Sequence, residues 1–207
     1  MRHKRIFLMG SWPEGQDGWQ NRFLKEIRRW MENIFTKNTH ACFDWSRLGD
    51  IAEGRPNLGG EMPVLVYRLL EYTAYDVLCH ELGEEAAKDL FRKFGYKAGH
   101  EFALHVLDLS LELDAFLADT AKKLLDLKIG VLRVEQMDPA AGEFTVTVGE
   151  DLDCSGLPVT GETVCNYDEG FLAGIFDLYT KGKYTVREVD CWASGDRVCR
   201  FEGHQEK

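Results

Sequence analysis

Three thiols and one carboxylate near the C-terminal end of the sequence carry its densest chemistry: Cys165, Glu188, Cys191 and Cys199. Residues of these types, once gathered, can close a tetrahedral zinc site, because thiolate sulfur and carboxylate oxygen are ligands that ion takes at short, fixed distances. The segment from Lys183 to Glu202 reads as a β-ribbon with Ser194-Gly195-Asp196 as its turn. Cys191 and Cys199 each stand four residues from Gly195, so a hairpin folded there sets their sulfurs opposite or nearly so. Glu188 lies three residues before Cys191, and strict strand alternation sends that pair to opposite faces. Both reach one ion only if the strand bends or bulges near Val189 and Asp190. A shared site therefore predicts a local backbone irregularity. Residue types alone leave three other readings open: a cross-strand disulfide, buried apolar thiols, or a solvated strand glutamate.

Other reactive constellations are missing from the sequence. No G-x-G-x-x-G follows an expected strand, there is no Walker loop, and no Ser/His/Asp set is arranged by motif. A reductase would need a nicotinamide or flavin cradle, and none is offered; no catalytic residue is assigned. His100 and His105 are five apart, off a common helical face. Cys154, eleven residues before Cys165, reads as a spare ligand, a reactive thiol or an inert buried one, while Cys42 and Cys79 have no evident partner.

The chain opens with a basic run, but only four or five apolar residues follow it. A secretory signal takes roughly 7–15, and no stretch approaches the roughly 18 of a membrane span. A cytoplasmic location is expected, where thiols stay reduced and clustered cysteines more often mean metal or chemistry than disulfides. The net charge of −10 argues against nucleic acid and anionic membrane as direct partners.

The elements that must position these residues are readable from periodicity. Residues 16–37 read as an amphipathic helix with Trp19, Phe23, Ile27, Trp30, Ile34 and Phe35 on one face, a face for its own domain or for a dimer partner. Residues 40–62 look irregular, with Phe43, Trp45 and Leu48 seeking burial. Three helices are expected over 64–82, 84–107 and 114–127, the second with interior glycines at 95 and 99 that imply a kink or a tight helix crossing. Strands over 129–137 and 143–149 form a hairpin, with Val146 and Val148 on a buried face and Thr145 and Thr147 on a polar one. A helix over 163–179, with Cys165 in its first turn, precedes the ribbon. The order implies an α+β fold, helices packed on one face of an antiparallel sheet. It divides into an N-terminal helix and irregular extension, 1–61, and a principal domain, 62–207.

Thr163-Val-Cys-Asn-Tyr-Asp-Glu-Gly170, Phe171-Leu-Ala-Gly174 and Glu188-Val-Asp-Cys-Trp-Ala-Ser-Gly-Asp-Arg-Val-Cys-Arg-Phe201 together resemble the 4-vinyl reductase domain family. The resemblance extends more loosely to Leu82-Gly-Glu-Glu-Ala-Ala87 and Gly95-Tyr-Lys-Ala-Gly99. The same module is similar to the sensory domains of phenol- and toluene-responsive activators and to the fold of TRAPP tethering subunits. It implies a zinc ion on Cys165, Glu188, Cys191 and Cys199, with a structural role because four protein ligands leave no open position. It also implies a pocket between helices and sheet for a small hydrophobic or aromatic molecule. Candidate pocket residues are Phe102, His105, Phe116 and Phe144, with Tyr67 and Phe94 as further aromatics. The reading is a zinc-stabilised sensor or carrier domain, expected as a homodimer. The alternatives are a reductase or tetrapyrrole-processing enzyme, and a structural protein-interaction module.

Overall fold

The structure, a computed structural model, describes residues 43–206. By its contacts the chain forms two units, Met1–Asp50 and Ile51–Lys207. The expected helix over 16–37 and Cys42 lie outside the described residues. Of the first unit, a 3₁₀ turn, Trp45–Leu48, is capped by the Asp44 side chain, which accepts from the Ser46 amide at 2.8 Å. Phe43 and Leu48, expected to be buried, are exposed.

The second unit opens with one helical turn, Ile51–Gly54, and then helix α1, Val64–Leu82. Pro63 sits just before α1, where the proline ring pre-sets the backbone and a missing N–H costs nothing. Gly83 separates α1 from α2, Glu84–Val106, in a backbone conformation (φ 88°) that side chains resist. Helix α3, Leu113–Asp126, follows. Next come strands β1, Val131–Asp138, and β2, Glu143–Gly149, helix α4, Asn166–Thr180, and strands β3, Tyr184–Asp190, and β4, Cys199–Gln205. The four strands form one antiparallel sheet in the order β1-β2-β4-β3. The expected α+β class stands.

Helix α4 is the centre of the unit. Ten of its fifteen residues are buried, including Phe171, Leu172, Ile175 and Phe176, so it is apolar nearly all round, as a helix enclosed on both sides must be. One side faces the sheet. Phe176 stacks on Phe144 of β2 at 4.0 Å, and the Phe144 ring lies over Gly203 of β4 where any side chain would collide with it. The other side meets α2, whose buried Ala87, Phe91, Gly95, Gly99 and Ala103 recur every fourth residue. The interior glycines of α2 thus mark a tight crossing, while the helix runs unbroken through them.

One expectation needs correcting. Thr147, assigned to the polar face of β2, is buried alongside Val146 and Val148. β2 is an inner strand with neighbours on both sides, so its outer face is covered more fully than an edge strand's. Removing the ring that fills the centre tests the packing: Phe144→Leu should cost roughly 1–2 kcal/mol through the lost stack on Phe176 and the space left above Gly203. Urea denaturation reads this directly, and an unchanged midpoint would mean that the ring is not packed there.

Candidate metal centre and adjoining cleft

The expected irregularity is present. Pairing between β3 and β4 shifts register between Glu188 and Asp190, leaving Val189 as the extra residue of a bulge, half exposed. Past the bulge, Cys191 precedes a 3₁₀ turn, Trp192–Ser194, and Gly195 turns the chain back with φ 110°. The Cys191 carbonyl accepts from the Ser194 and Asp196 amides, at 3.1 and 3.0 Å. Cys199 opens β4, paired with Val148 of β2. Cys165 stands one residue before α4, as its N-cap.

These positions bring Cys165, Cys191 and Cys199 together with a fourth thiol, Cys154. All four are buried, and their sulfurs lie within 4.8 Å of one another. Cys165 Sγ is 3.9 Å from Cys191 Sγ and 3.8 Å from Cys199 Sγ, and Cys154 Sγ is 3.0 Å from Cys199 Sγ. All four cysteines are free, so neither a disulfide between 191 and 199 nor any other pairing is formed among them. Sulfurs bound to one zinc at about 2.3 Å, at tetrahedral angles, stand roughly 3.8 Å apart, close to two of the three measured separations. Four buried cysteines this close could hold a metal ion.

The electrostatics point the same way. Contacts with Cys154, Cys191 and Cys199, together with burial, hold the Cys165 thiol well above the ordinary range, while contacts with the other three thiols drive Cys191 well below it. Four thiols in one dry space cannot all ionise unless a cation offsets them.

Glu188 is placed beside the cysteines, and its role is partly visible. Its Oε2 accepts the Cys165 amide at 2.9 Å, which satisfies an N–H at the start of α4 and sets a carboxylate at the positive end of the helix. Its Oε1 is buried without a hydrogen-bond partner. Burial and the nearby Cys191 push the Glu188 carboxyl up to about 8, against the lowering effect of the Cys165 amide. Glu169 of α4 answers from the other side: its Oε1 accepts the Glu188 amide at 3.0 Å, and its Oε2 accepts from Arg92 Nε at 2.5 Å and Arg187 at 3.3 Å. β3 and the start of α4 are therefore bonded in both directions.

Cys154 was legible only as a spare thiol. What places it is the turn Asp151-Leu152-Asp153-Cys154, in which Asp151 Oδ1 accepts the amides of Asp153 and Cys154 at 2.8 and 3.2 Å. Helix α1 clamps that turn. Arg68 donates to the carbonyls of Leu152 and Ser155 at 2.7 and 2.9 Å, Tyr72 donates to the Asp153 carbonyl at 3.0 Å, and Tyr67 donates to the Asp153 carboxylate at 2.9 Å. A D-x-D-C turn and the polar stripe Tyr67, Arg68, Glu71, Tyr72 on an otherwise apolar helix were the available signals.

The expected pocket residues are packed rather than open. Phe102 sits against Phe171 at 5.3 Å, Phe116 is fully buried and stacked on Tyr179 at 3.8 Å, and Phe144 lies between Phe176 and Gly203. His105 is exposed on α2, 3.5 Å from Glu101. Tyr67 is spent on Asp153, and Phe94 is exposed. Space for a small molecule lies elsewhere. A cleft of about 410 Å³ opens between α1, α2 and the segment 162–166 that leads into Cys165. Tyr72, Tyr75, Phe91 and Val164 give it apolar walls. A second cleft, about 460 Å³, lies where α2, α4 and β3 meet, and its Arg92 and Arg187 are already held by Glu169.

Residues 144–205, which carry three of the four cysteines of the cluster and Glu188, match one domain family. They form a 4-vinyl reductase domain. Two uncharacterized proteins of Methanocaldococcus jannaschii are each 26% identical to this chain, one over 106 residues and the other over 154. These matches cover 51% and 70% of this chain; the chain spans 60% of the first relative and 79% of the second. The phenol-responsive sensory domain of the transcription activator PoxR, solved with phenol, superposes with a TM-score of 0.52 at 19% identity, over 72% of this chain and 78% of that one. A vinyl-4-reductase family protein from Methanocaldococcus jannaschii gives 0.51 at 15% identity, over 82% of this chain and all of that one. A trafficking protein particle complex subunit 3 from Naegleria fowleri, covalently bound to palmitic acid, gives 0.50 at 14%, over 69% and 97%. At these identities the likeness is one of fold. Among the described residues, no helix is long and apolar enough to cross a membrane.

Proposed function

We propose that this 4-vinyl reductase domain is a sensory or carrier domain for a small molecule, with a zinc ion fastening its terminal hairpin beside the ligand cleft. One observation carries the reading: Cys165 belongs to the buried thiol cluster, while its neighbours Thr163, Val164 and Asn166 line the 410 Å³ cleft. A ligand pressing on that segment and a metal holding it act on the same few residues, which is what a sensor needs in order to pass occupancy to its fold. The cleft falls within the ~300–1,000 Å³ of small-molecule sites. The similarity to a domain that responds to phenol supports an aromatic or otherwise apolar ligand. Self-association fits the same reading, since α1 presents Leu65, Leu69 and Leu70 at 74%, 62% and 71% exposure. With no nicotinamide or flavin cradle in the sequence, an enzymatic role is the weaker alternative.

We assign the zinc to Cys154, Cys165, Cys191 and Cys199. Their four sulfurs converge, whereas Glu188 has one oxygen committed to the Cys165 amide. Native mass spectrometry of the full chain under reducing conditions tests the assignment. One zinc per chain is expected in the wild type and in Glu188→Gln, which should lose only about 1 kcal/mol of stability with its charged cap. Cys154→Ser should lose stoichiometric zinc. Retention in Cys154→Ser with loss in Glu188→Gln would move the fourth ligand to the buried Glu188 Oε1. A wild type free of metal, with no small molecule shifting its unfolding, would remove the proposal altogether.

A further inference from the structure

The chemistry of the 410 Å³ cleft is more specific than an apolar hollow. Three glutamates, Glu71, Glu84 and Glu162, line it together with the rings of Tyr72, Tyr75 and Phe91, and no lysine or arginine is among its lining residues. Glu84 is paired with Lys88 at 2.6 Å, so its charge is largely offset, and Glu162 is exposed at the rim. Glu71 is different. It is half-buried on α1, and its Oε2 is shielded from solvent without a hydrogen-bond partner. Behind it, Asp153 is buried with Oδ2 likewise unpartnered, and the buried Asp151 lies in the same turn. Arg68, on the same helix, spends its guanidinium on the carbonyls of Leu152, Ser155 and Asp151 rather than on a carboxylate. Burial is the main cause, and Asp153 the next, that holds the Glu71 carboxyl well above the usual carboxylate range. This wall lacks a positive charge, and a cation arriving there takes the place of the proton and lets the carboxyl ionise. Tyr75 and Phe91 meet edge to face at 5.2 Å, so ring faces and edges are both presented around the space. Aromatic rings over an acidic floor, backed by further buried acids, make the arrangement that attracts an organic cation: ring quadrupoles and negative charge act together on an ammonium group, and neither favours a phenolate or a carboxylate.

We propose that the cleft takes an amphipathic organic cation, a protonated or quaternary amine on an apolar or aromatic body, with the ammonium toward Glu71 and the body against Tyr72, Tyr75 and Phe91. The inference rests on the cleft being the ligand site proposed above. It specifies the class of molecule: a positive head is required, and an aromatic body is accommodated.

A matched series separates the two claims. Isothermal titration of the full chain with 4-phenylbutylamine, 4-phenylbutanol and 4-phenylbutyrate at neutral pH keeps the body constant and varies only the head. The amine is expected to bind about tenfold more tightly than the alcohol, with the carboxylate weakest. Glu71→Gln should erase the advantage of the amine over the alcohol, and Glu162→Gln should reduce it less. Equal binding of amine and alcohol, or tighter binding of the alcohol, overturns the cation proposal and leaves the small-molecule domain intact. Binding of none of the three removes both. An amine preference untouched by Glu71→Gln would be general attraction to a chain of net charge −10 and would also overturn it. If Glu71→Gln fails to fold, the amine preference must instead vanish in Phe91→Leu, which removes an aromatic wall and leaves every charge in place.

Discussion

Removing zinc from the full chain under reducing conditions lowers its unfolding midpoint by roughly 8–16 °C, and re-adding zinc restores it. The size follows from what the ion joins. Cys154 comes from the turn after β2, Cys165 from the start of α4, Cys191 from the end of β3 and Cys199 from the start of β4. A single ion thus closes four chain segments against one another, whereas a side-chain hydrogen bond closes two. Without it, the four thiols must be protonated, and buried thiols bond only weakly. Some fastening survives, because Glu188 still holds the Cys165 amide and Glu169 still holds the Glu188 amide. The expected loss is therefore about 4 kcal/mol rather than complete unfolding, and a domain of this length shifts by roughly 2–4 °C for each kcal/mol. Calorimetry with metal content measured on the same samples checks it. A midpoint that stays put after proven loss of metal would mean that the ion contributes nothing to the fold.

How much of this was legible in the sequence depended on the range of the interaction. Helices and strands set by local period were readable to within a few residues: α1 lies at the expected positions, and β2 at its expected ends. The bulge at Val189 was readable as well, because it follows from two fixed constraints, strand alternation and a common site for Glu188 and Cys191. Cys154 was not, since its place depends on a turn folded around the Asp151 carboxylate and on three side chains of a helix some eighty residues earlier. The pocket residues were misjudged for a related reason. Phe102, Phe116 and Phe144 have the composition of a binding site, yet a core is built from the same rings. Only packing tells the two apart: each of the three already has an aromatic partner, while Tyr72 borders open space. The paired glycines of α2 and α4 announced a close contact, and their partner helix could be named only once the fold had brought them together.

That contact supports the second large effect: Gly99→Ala should cost roughly 3–5 kcal/mol and leave much of the protein insoluble on expression. A methyl group placed on Gly99 would stand 2.0 Å from the Phe171 carbonyl oxygen and 2.7 Å from its carbon. The obstruction is repeated along the crossing. A methyl at Gly95 would meet the Tyr167 oxygen at 1.8 Å, one at Gly170 the Arg92 oxygen at 1.9 Å, and one at Gly174 the Tyr96 oxygen at 2.3 Å. In every case the opposing atom belongs to a helix backbone and cannot rotate aside, so α2 and α4 must part. Parting withdraws α4 from Phe102 and Ala103 on one side or presses it into Phe144 on the other. Alanine's better helix propensity returns only about 1 kcal/mol. Gly54→Ala is the control, with nothing within 4 Å of the added carbon and a change expected within about 0.5 kcal/mol of zero. Because Cys165 rides at the start of α4, a Gly99→Ala protein that does fold should also bind zinc more weakly, by roughly tenfold or more. A chemical denaturation curve for Gly99→Ala that overlays the wild type would show that the two backbones do not approach as closely as they are placed.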